Sequence, residues 1–532
     1  MVRLRDARGK DPTGAFDQPG GVVDEELTHG SIIGYSSIHY AMNQTDVFKK
    51  SRAGGIFAVR YILSGMLFLG CFLVYAMRLN LSVAITAMVN GTSEDAVPLD
   101  NESCRASVPR QNRTSDDFGP GEFLWDRDQQ AMIMYAFFVG YPISQIPGGA
   151  VAERRLTLVL AAGVGVTGLL TCLTSIAARF NLYAFVGLRV LEGFTEGVIY
   201  PGIFAFVSNW VPIEEQSFLL NFILSGSIVG SVITMPAAAM LCKSYLGWPA
   251  SFYIFGLSGV LWTFVWLLIA ADAPEKHRWI SNEEHQYILE HRPPKNKNQK
   301  PVPWKDMLLS PPVLLLGLMK FGGSLNFYMM LTELPTYLNS MYGVYIVDNG
   351  WINGGMNLGL AIAVVGTGVI VDILITKEVF SKNFTRKFFV ACSTLIPSLC
   401  LAIISAIDCN YPLVLGILLI NCVFVGFMGG GDTSISLDLA PNYAATVQGV
   451  VNLLANFAGI VAPLLVGKLT QYHNTLTRWN LAFVVTAILT TICSIIFLLF
   501  GTTDEQPWNS TESDEDALVV VPREDDYGER SR

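Results

Sequence analysis

Apolar residues in this chain gather into long blocks separated by short polar stretches. About twelve blocks reach the roughly 20 residues that a helix needs to cross a bilayer. They run 60–89, 130–150, 156–178, 181–206, 217–241 and 250–271, then 311–341, 350–374, 388–407, 411–431, 443–471 and 479–501. A stretch dense in charge and proline, 272–310, separates the sixth block from the seventh. The pattern predicts an all-α membrane protein of twelve transmembrane helices. An N-terminal tail 1–59 leads into six helices over 60–271, with a long loop at 90–128. A linker 272–310, six helices over 311–501 and an acidic tail 502–532 follow. The spacing Ser281-x-x-Glu284 is that of a capping box and predicts a short surface helix over 281–291.

Composition agrees. The 532 residues are 51% hydrophobic and 15% charged, against about 25% charged for a soluble chain. The net charge of −9 reflects acid gathered in the tails, a solvating or sorting feature. No apolar core of a cleavable signal peptide occurs in the first 50 residues, so the first membrane helix is expected to direct insertion. Six of the nine cysteines, Cys71, Cys172, Cys392, Cys400, Cys422 and Cys493, fall inside apolar blocks as small hydrophobes. No disulfide framework and no metal site are expected, because no CxxC or Cys/His cluster has ligand spacing.

Lys and Arg cluster before the first helix (Lys49, Lys50, Arg52), after the second (Arg154, Arg155), through 276–305, and between the eighth and ninth (Lys377, Lys382, Arg386, Lys387). The positive-inside rule then places both termini in the cytoplasm. Three glycosylation sequons, at Asn90, Asn101 and Asn112, fall in the loop that this topology puts on the opposite side. Sequons at Asn43, Asn383 and Asn509 fall in the cytosol and are expected to be chance matches.

Two halves of six helices suggest duplication. Gly149, Glu153 and Arg154 follow the second helix, and Gly368 and Asp372 occupy the matching place after the eighth. Glycine lets helices approach closely, and an acid with nearby bases can cap and bridge helix ends. Gly-x-x-x-acid at matching places in two six-helix halves points to the major facilitator fold, in which two bundles rock around a midplane site. These residues are expected to gate or to lock.

The fourth block reads "GLRVLEGFTEGVIYPG" and carries Arg189, Glu192 and Glu196 in an otherwise apolar run. Facing lipid, three charges would cost roughly 8–10 kcal/mol. Their i, i+3, i+7 spacing instead places them on one stripe that can line a cavity. Arg78 and Lys320 lie at comparable depth in the first and seventh blocks. Three cations against two carboxylates leave surplus positive charge, suited to an anion that arginine can grip. Glu192 and Glu196 are the candidates for proton coupling; helix-locking ion pairs are the bland alternative. Tyr135, Tyr328, Asn452 and Asn456 are candidates for lining the site or for packing between helices. Asp432 and Asp438 are expected to form a helix-end or gate pair. Gly322, Gly323 and Pro335 would let the seventh helix bend.

The same residues resemble those of the anion:cation symporters of the major facilitators, solute carrier family 17, a group that includes sialin, vesicular glutamate transporters and sodium/phosphate cotransporters. The matching segments are "RLNLSVAI", "FFVGYPISQIPGGAVAE", "RVLEGFTEGVIYP", "NFYMMLTELPTYL", "LDLAPNYA" and "GVVNLLANFAGIVAP". Their flavour is similar to insect-type inorganic phosphate cotransporters. The resemblance implies anion transport driven by a proton or sodium gradient or by membrane potential. It places substrate arginines at Arg78 and Arg189 and coupling glutamates at Glu192 and Glu196. The chain departs from the vesicular glutamate transporters at Met134, where they have histidine, and at Gly323, where they have arginine, with Lys320 one turn earlier. It departs from sialin-like members at "TSIS", residues 433–436.

The leading expectation is therefore a secondary transporter of a small anion (phosphate, a carboxylate, an acidic amino acid or sugar) coupled to H⁺ or Na⁺. An anion channel and a non-transporting receptor are the alternatives. No enzyme constellation, cofactor or ATP-binding motif is present. The expected partners are the anion and the bilayer, with no nucleic acid and a monomeric state. The plasma membrane and an endosomal, lysosomal or vesicular membrane are both open as locations.

Overall fold

The computed structural model describes residues 57–89, 104, 121–292, 302–342, 344, 346–407, 409–470 and 475–509. The sequons Asn90, Asn101 and Asn112 lie outside these residues, as do most of both tails. The first half builds α1 (Val59–Met88), α2 (Arg127–Ala152), α3 (Leu156–Phe180), α4 (Leu182–Trp210), α5 (Gln216–Lys243) and α6 (Pro249–Ile269). The second half builds α7 (Pro311–Tyr328), which runs on through a π-helical turn Met329–Glu333 into Leu334–Tyr342. After it come α8 (Ile346–Thr376), α9 (Lys382–Ser405) and α10 (Tyr411–Val425). The two stretches of α11 (Ala444–Asn456, Ala458–Thr470) and α12 (Leu476–Phe500) complete it.

Among the described residues, eleven helices are long and apolar enough to cross a membrane by composition. The helix missing from these eleven, α2, has 26 residues but carries Gln129, Gln130, Ser144, Gln145, Pro142 and Pro147. Its polarity has a structural cause: Ser144 and Gln145 are buried against other helices rather than set in lipid. Where lipid is the solvent, the apolar faces turn outward, and residues such as Leu257, Leu261 and Phe264 on α6 stand exposed.

The two halves are bonded to each other at one end, here called the linker face. Glu153, at the end of α2, accepts the backbone N–H of Ala445 at the start of α11 at 2.9 Å. Asp372, on α8, accepts the N–H groups of Ser217 and Phe218 at the start of α5, at 3.3 and 2.7 Å. Each carboxylate thus caps the fifth helix of the opposite half, where orphan N–H donors and the positive end of the helix dipole favour an anion. The glycines one turn earlier make this approach possible. A Cβ on Gly149 would sit 2.6 Å from the Ala445 carbonyl, and one on Gly368 would sit 2.9 Å from the Ser217 carbonyl. Arg386 bonds Ser217 Oγ (3.1 Å) and Asp438 (2.8 Å), and Ser208 donates to the Pro441 carbonyl at 2.6 Å. Arg154, grouped with these residues from the sequence, is exposed.

Two sequence expectations need correction. Cys104 and Cys409 form a disulfide that ties the 90–128 loop to the turn between α9 and α10 in the other half. Their sequence separation of 305 hides the pairing from any spacing rule. The other correction concerns the surface helix. It forms over Asn282–His291, and Ser281 caps it, accepting from the Glu284 N–H at 3.2 Å. The side chain of Glu284 does not close the box. It accepts the N–H groups of Val59 and Arg60, at 2.9 and 3.1 Å, and pairs with the Arg60 guanidinium. The uncapped start of α1, with an arginine beside it, is the stronger donor set.

The linker-face caps are separable by mutation. Glu153→Ala removes one charge-assisted hydrogen bond to a helix start and Asp372→Ala removes two, each bond worth about 1.5–3 kcal/mol. Each is expected to speed alkylation of a Ser208→Cys reporter by a membrane-impermeant maleimide roughly tenfold or more. Unchanged labelling in both would show that the caps do not hold this face shut.

Candidate functional site

The charged stripe of α4 meets α1, α2 and α3 inside the first half. Arg189 pairs with Glu192 one turn along the helix, and Thr174 of α3 donates to the same carboxylate at 3.3 Å. Both side chains are almost wholly buried, at 4% and 2% exposure. Arg78 of α1 lies 3.8 Å from Glu196. Rings surround its guanidinium: Phe137 at 4.6 Å, Phe138 at 4.8 Å, Tyr141 at 5.3 Å and Tyr75 at 5.6 Å to the centroids. Phe137 also faces Arg189 at 5.4 Å, so one ring stands between the two ion pairs. Such contacts stabilise a desolvated cation by about 2 kcal/mol each. They let Arg78 stay charged with a distant counter-ion.

The two pairs differ in how tightly they are closed. Glu192 has hydrogen bonds from two partners. Among the described residues neither oxygen of Glu196 has a hydrogen-bond partner, although the residue is only 1% exposed. Arg78 keeps 10% of its side chain exposed, the most of the four groups. Arg189 is committed to Glu192, whereas Arg78 is held more loosely.

On the side of the second half, Tyr328 lies close enough to Arg78 to interact with it electrostatically. Its hydroxyl donates to Asn456 Oδ1 at 3.1 Å, and Asn456 Nδ2 donates to the Asn452 carbonyl at 2.7 Å. Gln448 reaches Asn452 Oδ1 at 3.5 Å. The structure therefore brings Arg78, Glu196, Arg189 and Glu192 together and sets Tyr328, Asn452 and Asn456 in one chain.

Lys320 is not a surplus cation. It pairs with Asp432 at 3.3 Å, and both side chains are nearly buried. Asp432 lies where α10 has given way to a short 3-10 turn, Gly426–Gly429, and a non-helical stretch, which turns its carboxylate toward α7. It is therefore not partnered with Asp438, which instead binds Arg386 and Lys382 at 2.8 Å each. With Asp432 counted, each cation at this depth has a carboxylate, and the expected positive surplus is absent among the described residues. Tyr135, a candidate for lining the site or for packing, is not among the rings around Arg78. It is 56% exposed, while Phe137, two residues and about 200° further round α2, carries the ring that meets Arg78. The cluster 137, 138 and 141 was visible as three aromatics within two turns, but nothing in the spacing said which face they shared with Arg78.

A family model described as Major Facilitator Superfamily matches residues 67–463. The chain is 34% identical over 457 residues to sialin of Ovis aries, covering 85% of this chain and 91% of that one. It is 30% identical over 478 residues to vesicular glutamate transporter 1 of Xenopus laevis, covering 89% of this chain and 80% of that one. In three dimensions it is similar to XylE, a proton:xylose symporter solved bound to 6-bromo-6-deoxy-D-glucose. That likeness has a TM-score of 0.60 at 14% identity, over 86% of this chain and 98% of the other, and it shows the fold.

The unequal closure of the two pairs gives a stability test. Glu192→Ala strands Arg189 in a buried site, and breaking a buried pair from one side costs roughly 3–5 kcal/mol. Glu196→Ala leaves Arg78 among four rings. The thermal unfolding midpoint of the purified protein in detergent is expected to fall clearly further for Glu192→Ala. Equal midpoints would refute the distinction.

Proposed function

Because the chain belongs to the major facilitator superfamily, within its solute carrier family 17 group, we propose that it is a secondary active transporter that moves a small anion by alternating access and couples it to the proton gradient. The chain is a multi-pass membrane transporter rather than an enzyme. The observation that carries the finer reading is the Arg78–Glu196 pair. It is buried and separated by 3.8 Å, and the glutamate oxygens have no other bond.

An arriving anion competes with Glu196 for Arg78. When it succeeds, Glu196 is left as a buried carboxylate without its cation. Such a group takes a proton rather than stay charged in a low-dielectric site. Anion and proton are thereby loaded together, and neither alone satisfies the site. The Arg189–Glu192 pair holds Phe137 and the stripe in place, and Tyr328 offers a hydroxyl from the other half. The bonds of the linker face close that end, so the anion would enter from the opposite side.

Orientation follows from independent features. Lys and Arg gather on the linker face. The disulfide and the three sequons belong to the other, as expected for a side that is oxidising and reached by glycosylation. The linker face is then cytoplasmic, together with both termini.

The reading is tested by uptake into proteoliposomes with pH and Na⁺ gradients imposed separately. Accumulation of phosphate or of a carboxylate is expected to follow ΔpH and to vanish in Arg78→Ala. Glu196→Gln is expected to keep anion exchange and lose the response to ΔpH. Uptake that follows Na⁺ alone, or a ΔpH response that survives Glu196→Gln, contradicts the proton assignment.

A further inference from the structure

The chain that leaves α6 is held against the linker face rather than released into water. Trp210 Nε1 donates to the Ala271 carbonyl at 3.2 Å, and Asp272 accepts the N–H of Thr157 at the start of α3, at 2.9 Å. A 3-10 turn follows, Pro274–Lys276, with Pro274 buried. His277 then pins the chain to the helix it came from. Its Nε2 donates at 2.9 Å to the Ile269 carbonyl, one of the carbonyls that a helix end leaves without an internal donor. Its Nδ1 accepts the Trp279 N–H at 3.3 Å, and its ring meets buried Trp210 edge-on. Ile280 packs against the core of the first half, and Ser281 caps the linker helix.

Between these anchors three side chains are left outside. Lys276 and Arg278 are exposed, and Trp279 is 64% exposed. Neither cation has an ion-pair or hydrogen-bond partner for its side chain among the described residues. The neighbouring acids are engaged elsewhere: Glu275 with Arg292, Asp272 with α3, and Glu284 with Arg60. Glu283, exposed on the first turn of the linker helix, is the remaining acid of this stretch, and counting it still leaves a positive surplus.

Depth gives the surplus a meaning. The outer face of α6 is apolar: Leu257, Leu261, Phe264 and Leu268 stand exposed at i, i+4, i+7 and i+11, a single stripe turned to lipid. Leu268, one residue before the helix ends, is 75% exposed. The bond from His277 to Ile269 holds residues 276–279 at the level where this stripe leaves the hydrocarbon. That level is the headgroup layer, where an indole with an apolar body and a polar N–H is favoured and where Lys and Arg meet phosphate.

We propose that Lys276, Arg278 and Trp279 form a binding site for an anionic phospholipid of the linker-face leaflet. The two cations hold its charged headgroup, the indole lies at the acyl boundary, and an acyl chain runs along the apolar stripe of α6. A soluble phosphate would engage the cations and leave the tryptophan and the stripe unused. Each cation near the bilayer surface raises affinity for an anionic lipid by about fivefold. A lipid held there braces the segment that leads into the linker helix, whose Glu284 caps the start of α1. The site lies outside the transport path and does not depend on the anion-transport reading.

The thermal unfolding midpoint of the purified full-length protein in detergent tests this, with phosphatidylserine, phosphatidylcholine and soluble glycerophosphoserine as probes. Phosphatidylserine is expected to stabilise at lower concentration than phosphatidylcholine, and glycerophosphoserine to have little effect. The double variant Lys276→Gln, Arg278→Gln is expected to weaken the phosphatidylserine response at least tenfold. Its phosphatidylcholine response should stay at the wild-type level, which also shows that the variant is folded. Lys305→Gln with Lys377→Gln removes the same charge from two exposed lysines on the second-half side of the linker and should change neither response. Trp279→Ala is expected to weaken the phosphatidylserine response as well. Equal losses in the two double variants would reduce the effect to general surface charge and overturn the proposal. An undiminished phosphatidylserine response without Lys276 and Arg278 does the same, as does a wild-type protein that answers both lipids alike. Stabilisation by glycerophosphoserine as strong as by the lipid, or no change in Trp279→Ala, overturns the assignment to a membrane lipid.

Discussion

Charge in a bilayer has to be shared or removed, and the interior of this protein is organised around that requirement. Arg78, Arg189 and Lys320 lie at depths where water is scarce, and each is matched by a carboxylate: Glu196, Glu192 and Asp432. The resting site is therefore electrically balanced. On the transport reading proposed above, an anion would have to replace a carboxylate, and the displaced group would take a proton because it cannot remain charged without a partner. In geometry the two pairs differ: Arg189–Glu192 is closed by hydrogen bonds and Arg78–Glu196 is not.

The same economy operates at the linker face. A helix that starts at the junction of the halves has N–H groups without partners, and each half supplies a carboxylate to the fifth helix of the other. These bonds are strong enough to favour one closed state. They are also few and local, as the proposed alternating access would require of bonds that must break in each cycle. The disulfide between Cys104 and Cys409 fastens a loop of the first half to the second on the opposite side, away from the caps.

Duplication explains why one half resembles the other in backbone and differs from it in chemistry. The cap-forming acid and the packing glycine are kept in both halves, because closing the face needs both. The ion pairs differ between the halves: Arg78–Glu196 and Arg189–Glu192 lie in the first, and Lys320–Asp432 in the second.

Most of the fold was legible along the chain, because a bilayer demands uninterrupted apolar helices and that demand is local. The twelve blocks, the two halves, the Gly-x-x-x-acid pair and the i, i+3, i+7 stripe of α4 all follow from spacing within a helix. The polar α2 could be found by its length even though its composition is marginal. Partners are another matter. That Lys320 belongs to Asp432, that Glu284 caps α1, that Phe137 rather than Tyr135 meets Arg78, and that Cys104 reaches Cys409 are facts about helices brought together from distant parts of the chain. The sequence by itself determined which residues could not face lipid. Only the tertiary structure decided which of them neutralise one another, because Coulomb and hydrogen-bond energies depend on separations of a few ångströms that no linear spacing encodes.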